Sequence, residues 1–226
     1  MKSSVTSTDV DFDSDDMSFI RTQMALDDEK RESLIKRSRD VLKLSKMSIS
    51  MCLRGDTQNA QKNLDECLTI LKQELIPVVA EIPALRSSVA FCLEEWAEAK
   101  ILHSFLMHNR IPRLGDLEVL TYEEYLGGLL DFTGELNRYA VLQATARHET
   151  DVKRCQDLCT RVQEEMMQFD LRNSNIRRKY DTLKYTVKKL DALVYELSLA
   201  RQLGRVMDPS ATGQDDPPKE VPEEQG

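Results

Sequence analysis

Apolar residues recur along this chain at steps of three and four, the period of a helix with one buried face, and no stretch alternates as a strand would. From about Met17 to Leu53 the positions Leu34, Val41, Leu42, Ile49 and Cys52 mark a long first helix, which Gly55-Asp56 ends. A second helix opens near Thr57, a candidate N-cap, and carries Leu64, Leu68, Leu71 and Leu75 as far as Pro77, which either kinks or ends it. A third starts near Pro83 and runs through Val89, Cys92, Trp96, Ala99, Leu102 and Leu106 until NRIPRLGD breaks the pattern. Thr121 with Glu124 three residues on forms a capping-box signature ahead of Leu126, Leu129, Leu130, Thr133, Leu136 and Ala140, a fourth helix. A fifth, with a weaker apolar face, spans about Asp151 to Phe169. In the last element Tyr180, Leu183, Val187, Leu190, Val194 and Leu197 step 3, 4, 3, 4, 3, which is a seam for packing on another helix within or between subunits. The pattern predicts an all-α bundle of six to seven helices.

The ends differ in kind. Residues 1–16 hold five acids against one lysine, and residues 208–226 hold six acids against one lysine with four prolines. Both ends read as disordered acidic tails, at 1–16 and 207–226, around a helical domain at 17–206. The formal charge of −8 is therefore concentrated in the tails and leaves the helical region near neutrality, compatible with a nucleic-acid partner. Five cysteines, odd in number and without metal-ligand spacing, read as free thiols of a reducing compartment. No apolar run reaches the roughly 18 residues of a membrane span, and MKSSVTSTDVDFDSDD has no signal-peptide core, so a soluble intracellular protein is expected.

The candidate chemistry is acidic. Helix three contains Glu94-Glu95-Trp96-Ala97-Glu98 and helix four contains Asp131-Phe132-Thr133-Gly134-Glu135. Glu95 and Glu98 are three apart, Asp131 and Glu135 four apart, so each pair shares a helix face. Glu95 is in step with Cys92, Ala99, Leu102 and Leu106, placing a carboxylate on the stripe that faces the bundle. An unpaired charge there is costly, so it borders solvent or is neutralised by cations. Clustered oxygens suit Mg²⁺ or Mn²⁺. Such pairs are also common on solvated helix faces, and the absence of Glu-x-x-His argues against a di-iron bundle. Arg177, Arg178, Lys179, Lys184, Lys188 and Lys189 crowd the last helix, and Arg138 lies one turn beyond Glu135. His103, His108 and His148 lack a metal-site pattern and read as structural, as do Cys155 and Cys159 and the tryptophan Trp96.

Several segments carry a resemblance. YEEYLGGLLDFTGELNRYAV at 122–141 is similar to the signature of translin-associated factor X, and EEWAEA at 94–99 resembles that branch's acidic run. RRKYDTLKYTVKKLDALVYELS at 177–198 is very similar to the C-terminal helix of translin, and KRSRDVLKLSK at 36–46 matches more loosely. Together they resemble the translin superfamily over about residues 25–204. The resemblance implies a translin-like bundle that assembles into a closed oligomer, by family an octamer, alone or with a translin-type subunit. It implies a Mg²⁺-dependent endoribonuclease, with Glu95, Glu98, Asp131 and Glu135 as metal ligands and catalytic groups. Asp131 is discriminating, because translin typically has an apolar residue there. The basic pair Arg177 and Arg178, with Arg138 and Lys184, is expected to contact single-stranded RNA, or single-stranded DNA. Small-RNA passenger fragments and tRNA-processing remnants are the implied substrates, and cytoplasm, with nucleus as a second compartment, the implied location. The alternatives are a non-catalytic nucleic-acid scaffold like translin and a helical adaptor without affinity for nucleic acid. The C-terminal helix is closer to translin, and the short connection from His108 to Thr121 lacks the insertion common in the catalytic branch of animals.

Overall fold

The computed structural model describes residues 13–207, with side chains through residue 203. Among them lie seven α-helices and no strand. The remainder of the two expected tails lies outside the described residues. The chain forms two compact units, divided within the fifth helix after Gly128.

The first unit is built on α1 (Ser14–Leu53). This helix starts three residues before the expected Met17, because aspartates of the acidic stretch serve as its cap. The Asp13 carboxylate accepts N–H bonds from Asp15 (2.8 Å) and Asp16 (3.4 Å), and the acidic first turn suits the positive end of the helix dipole. Burial begins only at Leu34 and then recurs through Ser38, Val41, Ser45, Ile49 and Cys52. Gly55, at φ +82°, supplies the left-handed residue that turns the chain out of α1. Asp56, rather than Thr57, caps α2 (Thr57–Ile70), its carboxylate accepting from the Asn59 N–H.

Pro77 neither ends nor sharply breaks the helical path. A π turn at Leu71–Leu75, closed by the Ile76 N–H on the Leu71 carbonyl, leads into α3 (Ile76–Glu81) with the proline in its first turn, where the missing N–H costs no hydrogen bond. After a 3₁₀ turn at Pro83–Leu85, α4 (Arg86–His108) packs against α1 and α2 and ends at Asn109, which takes the left-handed conformation at φ 50°. Trp96, 1% exposed, sits in this core, and its indole N–H donates to the Leu64 carbonyl at 3.4 Å.

The capping box at the start of α5 (Tyr122–Thr145) forms as expected. The Glu124 carboxylate accepts the Thr121 N–H at 2.8 Å, and the Glu124 N–H reaches the Thr121 hydroxyl at 3.3 Å. Glu124 has a second task the spacing did not disclose: it takes two bonds from the Arg86 guanidinium, at 2.9 and 2.6 Å, from a nearly fully buried position. One turn later, glycine lets α5 approach α4 closely. A Cβ on Gly128 would stand 2.5 Å from the Ala97 Cβ, 2.7 Å from the Glu94 carbonyl oxygen and 2.9 Å from the Glu98 nitrogen. Gly128 is therefore the residue that holds this helix against the backbone of the α4 acidic segment.

The second unit contains the rest of α5, α6 (Glu149–Met166) and α7 (Asn175–Met207). Val152, Cys155, Cys159, Val162 and Met166 form a continuous buried face on α6, and this helix packs on α7. The α7 seam is buried at Tyr180, Leu183, Val187 and Leu190 and only half-buried at Val194 and Leu197. Among the described residues no helix is long and apolar enough to cross a membrane.

Candidate functional site

α4 supplies the first acidic pair. Nearly every residue from Trp96 to His103 is buried, so this segment has core on almost all sides. Glu98 is only 8% exposed and Glu95 is half-buried. The deeper carboxylate is therefore Glu98, a ranking that the apolar stripe through Glu95 does not disclose. Both engage other groups.

α5 supplies the second pair, in the second unit. Asp131 and Glu135 are half-buried, flanking the buried Phe132, Thr133 and Leu136. Each has a cation. Asp131 Oδ2 accepts from the ammonium of Lys179 on α7, and both oxygens of Glu135 accept from Arg138, at 2.9 and 2.7 Å. Arg138, expected to face nucleic acid, is thus engaged with the carboxylate one turn behind it. The four predicted ligands are divided two and two between the units. Neither unit by itself gathers three or more Asp, Glu, His or Cys side chains in a metal-holding group among its described residues. The donor type fits the implied cation: four carboxylates offer only hard oxygens, which Mg²⁺ and Mn²⁺ prefer, and two already draw positive groups.

α7 carries the basic face. Arg177 and Lys184 both donate to Asp181, at 3.2 and 3.0 Å, and together hold its carboxyl below the usual carboxylate range, Lys184 having the larger effect. The Lys184 ammonium also stands 4.9 Å from the centre of the Tyr180 ring. Arg178 is exposed. Lys179 is the member of this run that sequence reasoning missed as a site residue. Its signal was periodicity, since it lies in step with Leu183, Thr186 and Leu190, all buried.

The other candidates are structural. His103 is buried, its ring N–H donating to the Thr57 carbonyl at 3.1 Å, and desolvation lowers its pKa, which keeps it neutral. The five cysteines are free and buried. Burial pushes the thiols of Cys52 and Cys67 up to about 11 and those of Cys92, Cys155 and Cys159 up to about 12, so they remain protonated at neutral pH.

The Translin family profile matches residues 29–201, most of the chain. The chain belongs to the Translin family. An uncharacterised protein of Methanocaldococcus jannaschii is 26% identical over 199 residues, covering 85% of this chain and 89% of that protein. Gallus gallus translin is 35% identical over 94 residues, covering 42% of this chain and 39% of that translin; the match to Homo sapiens translin is 34% over 80 residues, 35% of each. These stretches span well under half the length of the vertebrate translins. Among solved structures, apo-NeC3PO matches with a TM-score of 0.74 at 24% identity, over 80% of this chain and 96% of that one. The AfC3PO–duplex RNA complex matches with a TM-score of 0.75 at 21% identity, over 82% and 98%. At these identities the structural neighbours establish the Translin-family fold and no more.

Proposed function

We propose that this Translin-family chain is the Mg²⁺-dependent endoribonuclease subunit of a translin-type assembly, the role in which its acidic motifs resemble translin-associated factor X. The observation that carries the reading is Asp131. A half-buried carboxylate stands where translin typically has an apolar residue, and the basic helix α7 reaches it through Lys179.

Glu95, Glu98, Asp131 and Glu135 would hold the ion, with Mn²⁺ able to replace Mg²⁺. The bound ion supplies Lewis-acid stabilisation of the charge that develops on a scissile phosphate. One of the four carboxylates takes the proton from the attacking water. Arg177, Arg178 and Lys184, with Arg138, bind the phosphates of single-stranded or nicked RNA and fix its path, without reading sequence. Single-stranded DNA presents the same phosphates and is a second ligand. Support for the nucleic-acid half comes from α7 itself and from the fold shared with AfC3PO, whose complex contains duplex RNA.

Apolar side chains left exposed on α1 (Phe19, Met24) and α7 (Tyr195, Leu203), with the half-buried end of the α7 seam, offer area for assembly with further copies or a translin-type subunit, by family into an octamer. Five free cysteines fit the reducing cytoplasm or nucleus.

The second reading is a non-catalytic RNA- or DNA-binding scaffold. It is favoured by the internal partners of Asp131 and Glu135, which need no metal to be neutralised. Incubating the purified chain with labelled single-stranded RNA, in Mg²⁺ or in chelator, separates the two. Cleavage only with Mg²⁺ is expected for the nuclease; bound and intact RNA under both conditions supports the scaffold.

A further inference from the structure

The cations on the α5 carboxylates differ in kind. Arg138 lies on the same helix as Glu135, three residues on, and its side chain is 64% exposed. The guanidinium therefore lies largely in water, although the Glu135 side chain is only 17% exposed, and it can swing away without disturbing the core. Lys179 reaches Asp131 from another helix, 48 residues away in sequence, and the pair is more enclosed, with the lysine side chain 17% and the aspartate 35% exposed. Lys179 lies in register with the buried face of α7, and the neighbouring Tyr180 is itself buried. The backbone at Lys179 is thus fixed by the packing of α7 on α6, and its ammonium reaches Asp131 on α5. An ammonium is a compact charge with three donors and no acceptor, so it serves a carboxylate in the way a metal ion does.

We propose that Lys179 is a displaceable counter-ion at Asp131: it occupies the carboxylate in the ion-free protein, competes with a divalent cation for it, and so sets the concentration at which the site loads. The inference rests on the reading of Asp131 as a metal ligand. A competitor lowers apparent affinity by the fraction of time it holds the shared group. A phosphate that engages the ammonium frees Asp131. Nucleic acid and divalent cation then bind with positive coupling, and by linkage each strengthens the other to the same degree.

The test measures Mn²⁺ binding by the electron paramagnetic resonance signal of the free ion, using the full chain as wild type, Lys179→Gln, Lys179→Arg and Asp131→Asn. Circular dichroism and light scattering check that fold and assembly are retained. Lys179→Gln is expected to bind Mn²⁺ about three- to tenfold tighter than wild type, because the competing charge is gone, and Lys179→Arg to return toward wild type. An uncleavable 2′-O-methyl RNA oligonucleotide is expected to tighten Mn²⁺ binding by the wild type more than by Lys179→Gln. Wild-type or weaker Mn²⁺ affinity in a folded Lys179→Gln overturns the proposal, and so does equal tightening of both proteins by the oligonucleotide. If Asp131→Asn binds Mn²⁺ as the wild type does, the ion is not held at Asp131, and the metal-ligand reading falls with the counter-ion. If Asp131→Asn loses Mn²⁺ while Lys179→Gln matches the wild type, only the counter-ion inference is lost.

Discussion

Replacing Asp131 with asparagine is expected to lower the RNA-cleavage rate by more than about a hundredfold while fold, assembly and RNA affinity persist. The substitution keeps the size of the side chain and one acceptor oxygen, so packing beside Phe132 and Thr133 is preserved. It removes the formal charge that a divalent cation needs from its ligands, and the loss should exceed the 10- to 100-fold typical of outer-shell partners, hence about a hundred or more. The contribution of the Lys179 pair to stability is small by comparison, on the order of 1 kcal/mol for a single pair that still meets solvent at the aspartate. Glu135→Gln and Glu98→Gln should behave like Asp131→Asn in cleavage. A double variant should lose little beyond either single one, since groups that act as one site are not additive. Single-turnover kinetics with saturating protein, in preparations shown free of contaminating nuclease, separate this outcome from a loss of binding. A solvated aspartate would instead leave the rate within a factor of about two.

The second large effect concerns RNA affinity. Arg177 and Arg178 open α7, Arg178 exposed and Arg177 paired with Asp181 one turn on. Changing both to glutamate removes two phosphate-binding charges and places a like charge beside Asp181. For single-stranded nucleic acid each phosphate contact contributes about 0.7 to the slope of log affinity against log salt. Two lost contacts should flatten that slope by about 1.4 and weaken binding roughly 25-fold at 0.1 M salt, with repulsion adding to the loss. The effect should be the same for unrelated RNA sequences. Fluorescence anisotropy across a salt series, with assembly checked by light scattering, reads both quantities. An unchanged slope would remove the start of α7 from the binding surface.

The elements were legible where periodicity or a cap wrote them. The Tyr180–Leu190 seam is buried as its 3-4 spacing requires, and Thr121 with Glu124 forms the box that its two residue types specify. The boundaries were less legible because one residue type serves two purposes. Asp13 belongs to a composition that reads as a solvated tail, yet a single carboxylate–amide bond makes it a cap. Asp56 and Thr57 are both good cap formers, and only the backbone angles choose between them. The π turn at Leu71–Leu75 has no residue signature of its own; it directly precedes Pro77, which cannot donate to a regular helical ladder.

For the candidate site, residue types and intrahelical spacing were visible, since i,i+3 and i,i+4 place carboxylates on one face. Depth was not. Counting a stripe cannot rank Glu95 against Glu98 on a helix buried nearly all round, and the structure puts Glu98 deeper. Nor does spacing along one helix reveal partners on another. The Lys179–Asp131 and Arg86–Glu124 pairs join residues 48 and 38 apart, and each depends on how two helices pack.

The most direct measurement is the anomalous difference density of Mn²⁺ soaked into crystals of the full chain. The predicted result is a peak bounded by carboxylate oxygens of Glu95, Glu98, Asp131 and Glu135, at the roughly 2.0–2.2 Å expected for a hard divalent ion of this size. Density confined to other positions, with these four carboxylates free of metal at saturating Mn²⁺, would contradict the four-carboxylate site and leave the non-catalytic scaffold as the reading.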